Sequence, residues 1–396
     1  MAAIRAARLG QKVTLLEKGE SLGRKLCLSG NGRGNFTNIG DIDNFLENFN
    51  SSGPFLRTAF SHFFNRELID FLEQEGLAHK TERQGRVFPQ SDRAADILKV
   101  LQRALARAGV EIIYGRAVEA ILAPGNSLTG VKLDNGQALA ASKVILATGG
   151  ASFRDTGSVG QGQHLAAKLG HRIITLRPAL VPLLTRERWV RETAGLTLKN
   201  VGVTLLAGGK KVCRQIGELL FTHFGVSGPL VLSFSGDALD CLAKNKDVSL
   251  SIDLKPGLSA EALDQRFLRQ LKGALMVKTL LKEFLPQSLL PVFLKLAKIQ
   301  PEKTVNQIAQ EERKRLVGLM KDLRLTIVGS LPLEEAMVTR GGVCAKEIDP
   351  KTMQSRLVKG LYFAGEIIDV DGKTGGYNLQ AAFSTGYLAG ESAAQQ

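Results

Sequence analysis

Four short stretches hold the residue types from which a nucleotide site could be built. In one, Thr374-Gly375-Gly376 precedes a run rich in alanine, glycine and serine from Asn378 to Gly390. Two residues without Cβ let backbone approach a ligand closely. A helix starting beside them points its unpaired N–H groups and the positive end of its dipole the same way, so an anionic or electron-rich group is the natural occupant. Just before it, the apolar run Leu361–Ala364 ends in Gly365-Glu366, as a buried strand delivering an acidic group at its carboxyl end. A second stretch, LGRKLCLSGNGRGNFTN from Leu22 to Asn38, alternates Gly30, Gly32 and Gly34 with polar residues and supplies Arg24, Lys25 and Arg33. Such a loop can wrap a pyrophosphate with backbone donors and fix it with charge-assisted hydrogen bonds. A third, Thr148-Gly149-Gly150, closes the apolar run Lys143–Ala147 and can bring backbone to the same ligand from elsewhere on a sheet. The fourth is Glu17, at the end of Lys12–Leu16, where a dinucleotide-binding unit places the acceptor of ribose hydroxyls. Taken singly, each glycine stretch is equally a tight structural turn.

The elements that must position these residues follow from the hydrophobic period. Met1–Leu9 is a helix stopped by Gly10, and Lys12–Leu16 a strand. The fingerprint G-x-G-x-x-G should lie between a first strand and this helix, and the sequence opens inside the helix. That first strand would be central to the sheet, so the expectation is that about 10–20 residues belong upstream. Ser61–Gly109 reads as helical from Phe63, Phe64, Leu68, Phe71, Leu72, Ala95, Leu98, Leu101 and Leu105. Short strands follow around Pro124-Gly125-Asn126 and the hairpin Asp134-Asn135-Gly136. Past Arg177-Pro178 the period changes to two in Val201-Val203-Leu205 and Val248-Leu250-Ile252-Leu254, with Ala207-Gly208-Gly209-Lys210 as a turn, predicting an antiparallel sheet or small barrel. From Ser259 to Leu325, Phe267, Leu271, Leu275, Val277, Leu281 and Phe284 mark amphipathic helices broken at prolines 286, 291 and 301. The fold class is therefore α/β, a Rossmann-like domain with an inserted antiparallel β-barrel and an inserted helical module. Its expected parts are residues 1–178 with 341–396, then 179–256 with 325–340, then 257–324.

Composition limits the function. A 396-residue chain with 44% hydrophobic residues and 42 glycines suits a multi-domain α/β protein. No segment approaches the ~20 apolar residues of a membrane helix and no signal peptide is visible, so the expected address is the cytoplasm. Cys27, Cys213, Cys241 and Cys344 are scattered, which excludes a zinc ribbon and a C-x-x-C dithiol, and no metal site is expected. The formal charge of +14 attracts nucleic acid, anionic lipid or phosphorylated ligands. Its densest patch comprises Arg186, Arg188, Arg191, Lys199, Lys210, Lys211 and Arg214 against only Glu187 and Glu192.

LGRKLCLSGNGRGNFTN, ATGG, TGSVGQGQHLAAKLGH, RPALVPL, GELLFTHFGVSGP, TRGGV and GLYFAGEIIDVDGKTGGYNLQAAFSTGY, in this order, resemble the FAD-dependent oxidoreductases with a two-dinucleotide-binding-domain fold, of the aminoacetone-oxidase-like and bile-acid-reductase-like kind. The resemblance runs from Met1 to the last helix. It implies that both chain ends build one FAD domain. Glu17 would hold the adenosine ribose, Arg24 and Lys25 the loop around the cofactor, and Gly32, Arg33 and Asn35 the pyrophosphate or flavin. Val118 would meet the adenine through its backbone, and Gly149 and Gly150 would close the site. Glu366 and Asp369 would face the ribityl or phosphate region, and Gly375, Gly376, Asn378 and Leu379 the isoalloxazine edge. Against the family's usual Ser-Gly-Gly-Gly-Arg-Cys-Asn, this chain has Asn31 for a glycine and Gly34 for the cysteine, which argues against thiol-dependent chemistry. The resemblance implies NAD(P)H-driven reduction of an activated carbon–carbon double bond, in a steroid-like enone or in ribosomal RNA uridine. The basic patch favours RNA. A non-catalytic RNA-binding or flavin-binding protein is the alternative. His164, His171 and His223 lie in motif segments, and no catalytic acid or base is assigned.

Overall fold

A computed structural model of the chain describes residues 1–270 and 273–395. Met1–Ala179 with Leu333–Gln396 form one compact unit and Leu180–Pro332 another. No helix among the described residues is long and apolar enough to cross a membrane.

The first unit opens with α1 (Ala2–Arg8), burying Ile4 and Ala6, and β1 (Thr14–Glu17). After α2 (Arg24–Leu28) and β2 (Thr37–Asn38) come α3 (Ile42–Glu47), α4 (Arg57–His62) and α5 (Asn65–Gln74). The helical period expected through Gly109 is then interrupted. β3 (His79–Thr81) and β4 (Arg86–Pro89) form a hairpin that joins β2 in a sheet of order β2-β4-β3. The cause is local, because Gln84 and Gly85 both take positive φ and turn the chain back, and Pro89 cannot extend a helix. The helix resumes as α6 (Ala94–Arg107). β5 (Glu111–Tyr114) pairs in parallel with β1, setting Glu17 opposite Tyr114. β6 (Val118–Leu122), β7 (Gly130–Leu133) and β8 (Ala138–Ala140) make a meander, followed by β9 (Val144–Leu146), α7 (Gln161–Lys168) and β10 (Ile173–Ala179).

In the second unit β11 (Leu183–Thr185), β12 (Thr197–Ala207), β13 (Lys210–Phe221), β14 (Gly225–Ser227), β15 (Val248–Asp253) and β16 (Leu323–Ser330) close a barrel of order β11-β14-β13-β12-β15-β16. Gly208 and Gly209, both at positive φ, make the tight β12–β13 turn. Helix α8 (Pro229–Ala243) touches every barrel strand, and its Leu230, Val231, Phe234 and Ala238 enter the same core. Sequence reasoning passed over it, because a helix apolar on most sides shows no single hydrophobic face. α9 (Ala260–Gln270), α10 (Val277–Leu281), α11 (Leu290–Ala297) and α12 (Gln310–Lys321) add Phe267, Leu281, Phe293 and Met320 to that core. Leu271 lies outside the described residues, and Leu275 is exposed.

The chain then returns to the first unit. β17 (Val338–Val343) pairs antiparallel with β10, and β18 (Leu361–Phe363) pairs in parallel with β9. α13 (Tyr377–Gln395) packs on α1 and β18, with Arg5 bound to Glu391. Ile4 of α1 and Phe383 of α13 thus share one core, and Tyr362 and Phe363 are fully buried in a neighbouring one.

Candidate nucleotide site

Three of the four glycine and charge stretches converge on Glu366. Its Oε1 accepts the Thr339 N–H (2.7 Å) and the Ser152 hydroxyl (3.3 Å), and its Oε2 accepts from Lys25 Nζ (2.6 Å), which also reaches Ser152 Oγ (2.8 Å). Thr339 Oγ1 accepts the N–H groups of Ala151 (2.8 Å) and Ser152 (3.1 Å). Gly150 lies under this node, where a Cβ would collide with Thr339 Oγ1 and stand 2.9 Å from Glu366 Oε1. Lys25 from α2, Gly150 after β9 and Glu366 after β18 are therefore tied by Thr339 of β17. Ser152 and Thr339 were not singled out from the sequence, although Thr339 opens the TRGGV segment.

A second cluster forms where Thr37 and Asn38 meet the start of α13. Asn35 Nδ2 donates to the carbonyls of Thr37 (2.9 Å) and Val87 (3.0 Å), and Asn38 Nδ2 donates to the Gly375 carbonyl (3.2 Å). A Cβ on Gly376, at φ +96°, would collide with the Thr37 carbonyl. Asn378 Oδ1 accepts the Gly372 N–H (2.8 Å) and its Nδ2 donates to the Gly372 carbonyl (2.7 Å), while Leu379 packs beside the core containing Phe36 and Phe383. Thr37 Oγ1 bonds Gln380 Oε1 (2.6 Å) inside the protein.

The remaining expected residues have definite places. Glu17 Oε1 accepts the Gly19 N–H (2.7 Å), and its other oxygen has no protein partner among the described residues. Arg24 donates to the Asp155 carbonyl (2.6 Å). The Val118 carbonyl accepts from Gln161 Nε2 (3.0 Å), and that of Gly149 from Gln163 Nε2 (3.0 Å). The Gly32 and Gly34 N–H groups turn inward to carbonyls of residues 28 and 29, and the Arg33 N–H to that of Gly30, so this loop spends those donors on its own turn. The Arg33 guanidinium bonds Glu82 and Asp92 and lies over Phe88, 4.2 Å from the ring centroid. Hydrogen bonds to these two carboxylates hold Arg33 firmly charged. Gly34 leaves no space for a thiol, since a Cβ there would stand 2.8 Å from Ile97 Cδ1. Asn31 takes the left-handed conformation (φ +56°) in place of a glycine. Asp369 receives the Gly341 N–H, and burial, then the neighbouring Asp371 charge, raise its carboxyl above the usual range.

Of the motif-borne histidines, His164 and His223 are exposed, whereas the His171 side chain is fully enclosed by Glu347, Ser355 and the Phe363 ring. No cluster among the described residues has the make-up of a metal site.

These residues fit a dinucleotide. Glu17 has one oxygen without a protein partner among the described residues, and a Cβ on Gly149 (φ +74°) would meet among them just Ser158 Oγ, 3.9 Å away, which leaves room beside its backbone. The α13 N-terminus brings glycine-lined backbone and a positive dipole end. Fold and site suit an FAD-dependent oxidoreductase.

Residues 1–392 match the family described as HI0933-like protein Rossmann domain, and the chain belongs to that family. It is 33% identical over 401 residues to a 3-dehydro-bile acid delta(4,6)-reductase of Clostridium scindens, covering 100% of this chain and 96% of the relative. It is 32% identical over 400 residues to a ribosomal RNA dihydrouridine synthase of Haemophilus influenzae, covering 100% and 95%. A 3-ketosteroid delta1-dehydrogenase from Sterolibacterium denitrificans shares the fold, with a TM-score of 0.52 at 14% identity over 99% of this chain and 96% of that one.

Proposed function

We propose that this protein uses FAD and NAD(P)H to reduce an activated carbon–carbon double bond, and that its substrate is a uridine in RNA. The two named relatives, one acting on a bile acid and one on ribosomal RNA, support a reduced double bond in common and differ in substrate. Charge carries the choice between them. Residues 180–332 hold 23 basic and 14 acidic residues, +9 of the chain's +14. Arg186, Arg188, Arg191, Lys199, Lys210 and Lys211 are exposed and form no ion pair among the described residues, while Arg214 is exposed and pairs with Asp253 (3.4 Å). Such a surface suits a polyanion better than a neutral steroid nucleus.

FAD bound in the first unit supplies the hydride. The chain's own residues then orient and stabilise. Glu17 holds the adenosine ribose, the Lys25–Glu366–Ser152–Thr339 node holds the ribityl–phosphate region, and the α13 N-terminus favours negative charge on the reduced ring.

The test is a spectrum followed by a competition. The purified protein, reconstituted with FAD, is expected to bleach with NADPH and to be reoxidised by a uridine-containing ribosomal RNA fragment more than by a 4-ene-3-oxo steroid. Reoxidation by the steroid alone reassigns the substrate, and protein that binds RNA but never bleaches is a non-catalytic binder.

A further inference from the structure

The loop that leads from β18 into α13 is tied down at both ends by different parts of the first unit. At its start Asp371, only 4% exposed, is held by Arg340 of β17, whose Nε lies 3.2 and 3.0 Å from the two carboxylate oxygens and whose terminal nitrogen lies 3.0 Å from Oδ2. Asn50 adds its Nδ2 to Oδ1 (2.6 Å) and its N–H to the Asp371 carbonyl (2.9 Å). The Lys373 N–H reaches the Asn48 carbonyl (2.8 Å), and a Cβ on Gly372 would stand 2.9 Å from the Phe49 ring. At its far end Asn38 holds Gly375, and Gly376 abuts Thr37.

A buried ion pair is a poor device for stability alone, because desolvation offsets much of the attraction. Its use is to impose one geometry. The Arg fork reads both carboxylate oxygens, so the start of the loop has little freedom to slide or roll. The polar groups of Asp371 are met by β17 and by residues 48–50, and Phe49 also packs edge-on against Tyr377 at the start of α13, 6.5 Å between ring centroids.

We propose that Arg340 and Asp371 are positioning residues for the redox centre: the pair sets residues 371–376 in the register in which the Gly375 and Gly376 backbone and the first turn of α13 face the flavin, and as an ion pair it adds no net charge of its own there. This rests on the flavin reading above. Neither residue touches the cofactor. Breaking the pair changes both how the loop meets the ring and the field the ring experiences, in a direction set by which partner is removed.

The experiment uses the full chain, with apoprotein titrated with FAD and the flavin midpoint potential measured by photoreduction against a reference dye at pH 8.5. Asp371→Asn removes the negative charge paired with Arg340 and is expected to raise the midpoint. Arg340→Met leaves the carboxylate and is expected to lower it. Both are expected to weaken FAD binding by about tenfold or more, the scale on which loss of one side of a buried charge pair is felt. Arg340→Lys keeps the charge without the fork, so the midpoint stays near the wild-type value while FAD affinity falls. Asn50→Ala does the same through the other strap. Variants with wild-type affinity and midpoint overturn the proposal, as do shifts of the same sign in the Asp371 and Arg340 variants. If either of those two fails to fold, Arg340→Lys and Asn50→Ala decide, and unchanged FAD affinity in both overturns it. Wild-type protein that never takes up FAD would sink the flavin reading itself, whereas loaded wild type with indifferent variants sinks only the positioning role.

Discussion

Gly150 is the residue at which the least added matter should do the most harm. Its missing Cβ makes room for the Thr339 hydroxyl, which accepts two successive N–H groups, and for Glu366, which Lys25 holds. Gly150→Ala must push this node apart, at a cost of about 1–3 kcal/mol. A lower urea midpoint together with weaker FAD retention is expected, and an unchanged midpoint would show that the node yields freely. His171 provides a pH readout separate from the cofactor. Ser355 Oγ accepts the N–H groups of Leu357 (3.0 Å) and Val358 (2.8 Å), so its hydroxyl hydrogen is directed to His171 Nε2 (2.8 Å), leaving the ring N–H on Nδ1 towards Glu347 (3.2 Å). The imidazole is thus neutral in the fold. Burial lowers its pKa, and Glu347 offsets part of that shift. The unfolded chain therefore binds the proton more readily. The histidine's contribution to stability is complete above an unfolded value of about 6.5 and is lost as pH falls below it. Between pH 7 and pH 5 the melting temperature of wild type is expected to fall further than that of His171→Gln; equal slopes would exclude His171 as a source of acid sensitivity.

Among the elements, α13 and the loop before it are where sequence and structure speak most directly to each other. Strand Leu361–Phe363, the glycine pair and the small-residue helix were legible because each is a local pattern: an apolar run, two residues free of Cβ, an alanine- and serine-rich face. What these elements touch was less legible, because partners distant in sequence leave no periodic trace. Asp371 gave no signal of Arg340 or Asn50, and the Arg33 loop gave none of Glu82 and Asp92, which take its guanidinium. The β3–β4 hairpin hid inside a stretch whose flanks are helical, and α8 hid because it is apolar on most sides. Gly376 tests the docking of α13 itself. At φ +96°, and with the Thr37 carbonyl in the way, Gly376→Ala combines left-handed strain with a backbone collision, about 2–4 kcal/mol. Reduced stability in urea and loss of bound flavin should appear together. Stability lost with flavin affinity intact would place this glycine away from the cofactor.

At the scale of the molecule, chemistry and charge are divided between two stretches of the chain. The residues proposed to hold the cofactor all belong to the unit built from both chain ends, while most of the excess positive charge belongs to the barrel and its helices. The charge-reversed variant Lys210→Glu/Lys211→Glu is therefore expected to bind RNA more weakly, with a salt dependence shallower by about one unit of log–log slope for each phosphate no longer neutralised, while FAD content stays at the wild-type level. An unchanged slope would remove the β12–β13 turn from the RNA surface. The pairing of Ala179 with Val338 bears on how such a division could arise. The segment between them leaves and rejoins its host at neighbouring positions on one antiparallel ladder, a gap that a short reverse turn can span. An ancestor could thus have gained, lost or exchanged the whole cargo of residues 180–332 without redrawing the scaffold that receives it. Changes of substrate among relatives need have required no reinvention of the unit built from both chain ends.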